Sequence, residues 1–121
     1  MGYQEYTYDQ LLKETLIVRE KGSGTREIFD MNLKKKHINL DDFHQLVEIG
    51  NLNTIKQLVK ENLGISFIYR SAVQEELFSG DLIKISMKEE PISHNFTFIW
   101  HKDSHFQDDY RALFSAFTDN S

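Results

Sequence analysis

The segment from residue 16 to residue 26 constrains the fold more than any other part of this 121-residue chain. It begins with Leu-Ile-Val at 16–18, which predicts a short buried strand because two of the three side chains are β-branched. Gly-Ser-Gly at 22–24 then permits a tight turn, and Thr25 opens a helix. Such a junction directs unpaired backbone N–H groups, hydroxyls and the positive end of a helix dipole at one place. That place suits an anion.

The same junction has a simpler interpretation, in which Ser23 or Thr25 only caps the helix and nothing binds. The functional interpretation needs a second element, and residues 48–54 supply a candidate, since they form another strand-to-helix junction with a glycine and an asparagine at the turn. In a doubly wound sheet such junctions meet at the carboxyl ends of the strands, where ligands bind. We therefore expect the two junctions to face one cleft.

Apolar periodicity predicts that strands and helices alternate along most of the chain. The predicted strands lie at 16–18, 43–49, 64–69, 82–85 and 96–100, and the predicted helices lie at about 25–36, 53–62, 71–79 and 106–117, after a single helical turn that follows Thr7. This alternation indicates an α/β fold with a parallel or mixed sheet covered on both faces. The charged segment 87–91 contains the only proline and marks a boundary between residues 1–91 and 92–121.

Composition excludes several classes of function. The formal net charge of −5 disfavours nucleic-acid and anionic-membrane binding, and three adjacent lysines at 34–36 are interpreted as a solvated helix end. The absence of cysteine removes disulfides and thiolate sites and fits a reducing compartment. No apolar run is long enough for a signal peptide or a membrane span, so we expect a cytoplasmic protein.

Motifs for catalysis and metal binding are weak. The glycine turn lacks the Gly-Lys-Ser/Thr ending of a P-loop, and Ser23 lies in no G-x-S-x-G nucleophile elbow. His101 and His105 have H-x-x-x-H spacing, but they straddle a strand end and a loop rather than share a helix face. We therefore expect no metal, no cofactor and no catalytic residue.

Four motifs in order resemble the effector-binding domain of LysR-type transcriptional regulators, over about residues 6–117. They are LIVREKGSGTR at 16–26, EIGN at 48–51 with Ile55, Lys56 and Val59, LGISFI at 63–68, and Ala72-Val73 with Glu76-Leu77 and Gly80-Asp81-Leu82. The resemblance implies a periplasmic-binding-protein-like fold of two α/β lobes with a small molecule in the cleft between them. It also implies that residues 1–91 form lobe two and that the strand and helix of 92–121 complete lobe one.

The resemblance also assigns the site. It implies that the effector contacts Ser23, Gly24 and Thr25 on one junction and Asn51 and Asn53 on the facing one. Opposite charge and expected proximity suggest that Arg26 and Glu48 form a scaffold pair across the junctions. In the family, DNA is bound by an N-terminal helix-turn-helix domain, which has no counterpart in these residues.

The leading functional expectation is sensing of a small anionic or amino-acid-like metabolite within a transcriptional regulator, here without DNA binding of its own. A solute-binding protein of a transport system with the same lobe fold is the alternative, and an enzyme that holds a phosphorylated substrate at Thr25 comes third. The aromatic faces of residues 96–117 would lose the lobe they cover in the family. We expect them to fold onto lobe two or to pair with a second copy, so self-association is predicted.

Overall fold

Five strands form one mixed sheet in the order β2-β1-β3-β5-β4. The computed structural model describes residues 5–88 and 95–103. The strands are β1 (Thr15–Val18), β2 (Gln45–Glu48), β3 (Ile65–Tyr69), β4 (Leu82–Ile85) and β5 (Phe96–His101), and the helices are α1 (Tyr8–Leu11), α2 (Gly24–Lys35), α3 (Leu52–Lys60) and α4 (Gln74–Ser79). The predicted mixed α/β fold is confirmed.

Strands β1, β2 and β3 make the parallel half of the sheet. Strand β1 pairs with β2 on one side and with β3 on the other. The connection through α2 therefore joins β1 to its neighbour β2. The connection through α3 runs from β2 past β1 to β3, in the opposite direction along the sheet. Because parallel crossovers are right-handed, the two helices cover opposite faces of the sheet.

Strand β5 lies between β3 and β4 and is antiparallel to both. The family resemblance implied that this strand completes lobe one, and we expected its aromatic face to fold onto lobe two or to pair with a second copy. In the structure the two free edges of β3 and β4 gain hydrogen-bonded partners from β5, and the side chains of Phe96, Phe98 and Trp100 are buried. The assignment of residues 92–121 as a whole to lobe one stays a prediction, since the expected helix at 106–117 lies outside the described residues.

An aromatic cluster packs α1 and α2 against the sheet. The ring of Phe29 on α2 stacks on Phe67 of β3 at 5.0 Å, and Phe67 stacks on Phe96 of β5 at 5.1 Å. Tyr8 of α1 meets Phe98 edge-on at 5.9 Å. Offset and edge-on contacts of this kind are favourable beyond the area they bury. The predicted helical turn at α1 is present, with Thr7 as its N-cap in a capping box.

Three element boundaries differ from the sequence prediction. Strand β2 is shorter than residues 43–49, and as an edge strand it leaves Leu46 exposed. Helix α3 begins at Leu52 because Asn51 caps it, and α4 begins only at Gln74 because a 3₁₀ turn, Arg70–Ala72, precedes it. Helix α4 ends, as predicted, at Gly80 with φ 86°. In the described part of the chain, no helix combines the length and apolar character needed to cross a membrane.

Candidate functional site

The β1–α2 junction places three predicted residues at the start of α2. Gly22 turns the chain with φ 96°, and the Ser23 side chain accepts a hydrogen bond from the backbone N–H of Arg26 at 3.0 Å. Ser23 is thus the N-cap, and Gly24 is the first residue of the helix. Thr25 is 6% exposed, and within the described residues its hydroxyl has no hydrogen-bond partner. A nearly buried hydroxyl beside free helical N–H groups can still bind a ligand atom.

The β2–α3 junction is built in the same way. The Asn51 side chain accepts a hydrogen bond from the backbone N–H of Thr54 at 3.0 Å and caps α3. Asn53 is exposed in the first turn of that helix. Both asparagines therefore lie at the positive end of a helix dipole, as Ser23 and Thr25 do on the neighbouring junction.

The two junctions are in contact with each other. Val18 and Glu48, the last residues of β1 and β2, are register partners, and the Ile49 amide donates to the Val18 carbonyl at 2.8 Å. The Lys21 amide donates to Glu48 Oε2 at 3.2 Å. A Cβ added to Gly50 would lie 3.0 Å from Oε2 of the flexible Glu20 side chain, so the glycine leaves room for that carboxylate. The structure thus brings the two predicted junctions together at one edge of the sheet.

Arg26 and Glu48 do not form the ion pair that their charges suggested. Arg26 is 5% exposed, and its Nε donates to Asp30 at 3.1 Å while its Nη1 donates to the Arg19 carbonyl at 2.8 Å. Glu48 instead accepts from the Lys21 amide. Arg26 pairs with Asp30 rather than Glu48 because Asp30 lies one helical turn away on the same face of α2. Each residue binds the backbone of the 19–23 loop from a different side.

Charges of both signs surround the junctions. Arg19 and Glu20 form an ion pair at 3.0 Å, and Glu48 lies against the loop backbone. Carboxylates here repel a simple anion and attract an ammonium group, whereas the helix N-termini attract an anionic group. The arrangement suits a ligand that carries both charges.

A partly buried ion pair joins α3 to α4. Lys56 Nζ lies 2.8 Å from Glu76 Oε2 of α4 and donates to the Ala72 carbonyl at 2.9 Å. Lys60 Nζ is 3.8 Å from the same carboxylate oxygen. Burial by itself raises the pKa of the Glu76 carboxyl, but the hydrogen bond and charge of Lys56, with the charge of Lys60, hold that pKa below its usual value.

A groove that the sequence analysis missed lies at the carboxyl end of β3. Its volume is about 700 Å³, and it is lined by Tyr69, Arg70, Ser71, Gln74, Leu77, Phe78 and Asn95. The available signal was a cation, Arg70, placed directly after the third parallel strand. Asn95 gave no such signal, because only the insertion of β5 beside β3 brings it to this edge.

The histidine pair of the sequence analysis is only half described. His101 ends β5, and its Nδ1 accepts a hydrogen bond from the Asp103 amide at 3.0 Å, whereas His105 lies outside the described residues. Among residues 5–88 and 95–103, no three His, Asp or Glu side chains are grouped as metal ligands.

Comparison with known proteins gives one consistent family. The model of the LysR substrate binding domain matches residues 2–121. The chain is 33% identical over 107 residues to the uncharacterized HTH-type transcriptional regulator YeiE of Escherichia coli strain K12, covering 88% of this chain and 36% of that protein. It is 31% identical over 102 residues to the HTH-type transcriptional regulator CbbR of Rhodospirillum rubrum, covering 84% of this chain and 33% of that protein.

A third relative, CbbR of Sinorhizobium medicae, is 34% identical over 91 residues, covering 75% of this chain and 28% of that protein. The chain thus spans about a third of the length of the relatives it matches. These relatives are transcriptional regulators rather than enzymes, so neither the transport alternative nor the enzyme alternative is favoured. The chain belongs to the LysR substrate-binding domain family and represents an effector-binding domain of a LysR-type transcriptional regulator.

Proposed function

We propose that this domain senses a small anionic or amino-acid-like metabolite at the joined β1–α2 and β2–α3 junctions. The observation that carries the proposal is the nearly buried Thr25, whose hydroxyl has no partner among the described residues, at the N-terminus of the 12-residue helix α2. Among the described residues the buried side-chain atom without a hydrogen-bond partner is Trp100 Nε1 rather than the Thr25 hydroxyl, so the hydroxyl is accessible and a ligand oxygen can replace water there.

The neighbouring charges support the amino-acid-like form of the ligand. In this proposal an acidic group of the metabolite binds the Thr25 hydroxyl and the free N–H groups of α2, and Ser23 and Asn51 bind it through their remaining hydrogen-bonding atoms. An ammonium group lies toward the carboxylates of Glu20 and Glu48. Charge complementarity of this kind selects a zwitterion over a simple anion.

The rest of the function is proposed from the family. The domain acts in the cytoplasm, self-associates and passes effector binding to a helix-turn-helix domain that contacts DNA. The net charge of −5 supports a sensing role for these 121 residues rather than a DNA-binding one. Light scattering at several concentrations tests the self-association.

A thermal-shift screen tests the sensing proposal directly. The 121-residue chain is heated with a panel of amino acids, their decarboxylated amines, and simple anions such as phosphate and acetate. We expect amino acids with an acidic group to raise the melting temperature, and Thr25→Val to remove the rise while the unliganded protein stays folded. Gln57→Ala, at an exposed position within α3, is the control. An equal rise with Thr25→Val would exclude the site.

A further inference from the structure

The groove at the carboxyl end of β3 shares no residue with the predicted effector site. It lies beside β5 and α4, whereas the two predicted junctions follow β1 and β2. We propose that this groove is a second small-molecule site, which binds an organic acid with an aromatic or branched apolar portion. The proposal does not depend on the effector site at Thr25.

Charge supports the acidic part of the ligand. Arg70 is exposed, and across residues 5–88 and 95–103 its guanidinium has neither a carboxylate nor a carbonyl partner. It therefore offers a complete planar set of donors in a chain whose net charge is −5. Arginine binds carboxylates through two parallel hydrogen bonds, which fix the direction of the ligand.

The apolar lining supports the rest of the ligand. Phe78 is 96% exposed, and it shares one face of α4 with Gln74 and Leu77. Tyr69 also lines the groove, with its ring 4.2 Å from that of Phe96. A volume of about 700 Å³ falls within the range of small-molecule sites, and apolar walls with a few polar groups are typical of them.

The backbone that carries Arg70 is held in place before any ligand binds. The Arg70 amide donates to the Asn95 carbonyl at 2.8 Å, and the Val73 amide donates to the Arg70 carbonyl at 3.1 Å. On the far side, Lys56 of α3 donates to the Ala72 carbonyl at 2.9 Å. Val73 is fully buried below the turn. A cation on a turn fixed from three elements loses little backbone freedom on binding a ligand.

The test is a titration with phenylacetate and with phenylacetamide, its neutral isostere, followed by backbone and arginine side-chain NMR shifts. We expect phenylacetate to move the amides of residues 69–78 and 95 saturably, and to leave the amides of residues 22–25 in place. Phenylacetamide should bind about tenfold or more weakly, because it loses the charge-assisted hydrogen bonds. Equal binding of the two compounds would overturn the acidic specificity.

Two exposed positions make variants that keep the fold. Arg70→Gln should weaken phenylacetate binding about tenfold or more, Arg70→Lys should recover part of it, and Phe78→Ser should weaken both compounds. Lys35→Gln removes another exposed cation, at the end of α2, and should change nothing. Phenylacetate shifts that persist in Arg70→Gln, or that never saturate at residues 69–78, would overturn the site.

Light scattering tests the remaining explanation, which is that the groove is a contact between copies of the chain rather than a ligand site. If Phe78→Ser lowers the average mass of the protein, the groove is a contact between copies of the chain, and the ligand proposal is wrong. If instead shifts appear only at residues 22–25, the second site fails while the proposed function stands. Amino-acid thermal shifts that persist unchanged in Thr25→Val, together with intact phenylacetate binding at residues 69–78, would show the reverse.

Discussion

The Nη1 group of Arg26 donates a hydrogen bond to the backbone carbonyl of Arg19 at 2.8 Å, across the loop that carries the glycine turn. The same guanidinium binds Asp30 through its Nε at 3.1 Å and is 5% exposed. One buried cation therefore ties the end of β1 to the body of α2. Through this link the fold positions the helix N-terminus that the proposed function uses.

Replacing Arg26 should loosen this loop. We expect Arg26→Gln to lower the free energy of unfolding by about 2 kcal/mol, because hydrogen bonds from a charged donor are lost and the Arg19 carbonyl loses its partner. Urea unfolding measures the change. Lys35→Gln, on the exposed end of the same helix, should stay within about 0.5 kcal/mol of the parent. Equal stability of Arg26→Gln and the parent would show that the link is not structural.

The two caps should each be worth about as much as a typical helix cap. Ser23→Ala and Asn51→Ala are each expected to lower the free energy of unfolding by about 1 kcal/mol, because one N–H of the first turn loses its acceptor. Asn53→Ala is the matched control, since Asn53 is not the cap of α3. Denaturant titration of all three variants measures the free energies of unfolding. A loss of stability in Asn53→Ala as large as in the two cap variants would contradict the capping roles of Ser23 and Asn51.

Gly64 has no room for a side chain. A Cβ at this position would lie 2.7 Å from the Thr15 carbonyl oxygen and 3.2 Å from the Ile17 side chain. Because β1 backbone cannot yield as a flexible side chain does, Gly64→Ala should cost about 2 kcal/mol of stability. Gly24→Ala meets no atom within 4 Å and should be neutral or slightly stabilising. Thermal unfolding should therefore show a lower melting temperature for Gly64→Ala and an unchanged or slightly higher one for Gly24→Ala. Equal melting temperatures of the two variants would contradict this.

The Lys56–Glu76 pair should make stability depend on acid. The pKa of the Glu76 carboxyl is lower in the folded chain than in the unfolded one, so its contribution is complete at neutral pH and is lost as the pH falls through the folded pKa. Glu76→Gln should therefore cost about 1 kcal/mol at pH 7, and this difference should shrink as the pH falls below the ordinary glutamate pKa of about 4.3 and vanish below the lower folded pKa.

Unfolding at several pH values measures this effect. Lys60→Gln is the matched control, since Lys60 lies 3.8 Å from the Glu76 carboxylate and should cost less than Lys56→Gln, whose lysine lies at 2.8 Å. A difference between Glu76→Gln and the parent that is the same at pH 7 and pH 3 would show that packing rather than charge is lost.

Local pattern was sufficient to predict most of the fold. Leu16, Ile17 and Val18 are buried in β1. Three consecutive apolar side chains before a glycine turn favour a buried strand, because burial removes their apolar surface from water. The end of α4 at Gly80 follows from its left-handed φ, which only glycine adopts without strain. The same short-range chemistry identified the strand-to-helix junctions, because caps and turns depend on neighbouring residues in the chain.

Within the described residues, the sequence by itself determined the order of strands and helices and the two junctions, since periodicity, capping and turn chemistry act over a few residues. Only the tertiary structure decided partners that are distant in sequence. The insertion of β5 between β3 and β4 depends on which sheet edges are open, and it alone brings Asn95 beside Arg70. Likewise, opposite charge suggested Glu48 as the partner of Arg26, but the packed loop gave Arg26 to Asp30 and the Arg19 carbonyl, because distance and burial select among the available partners.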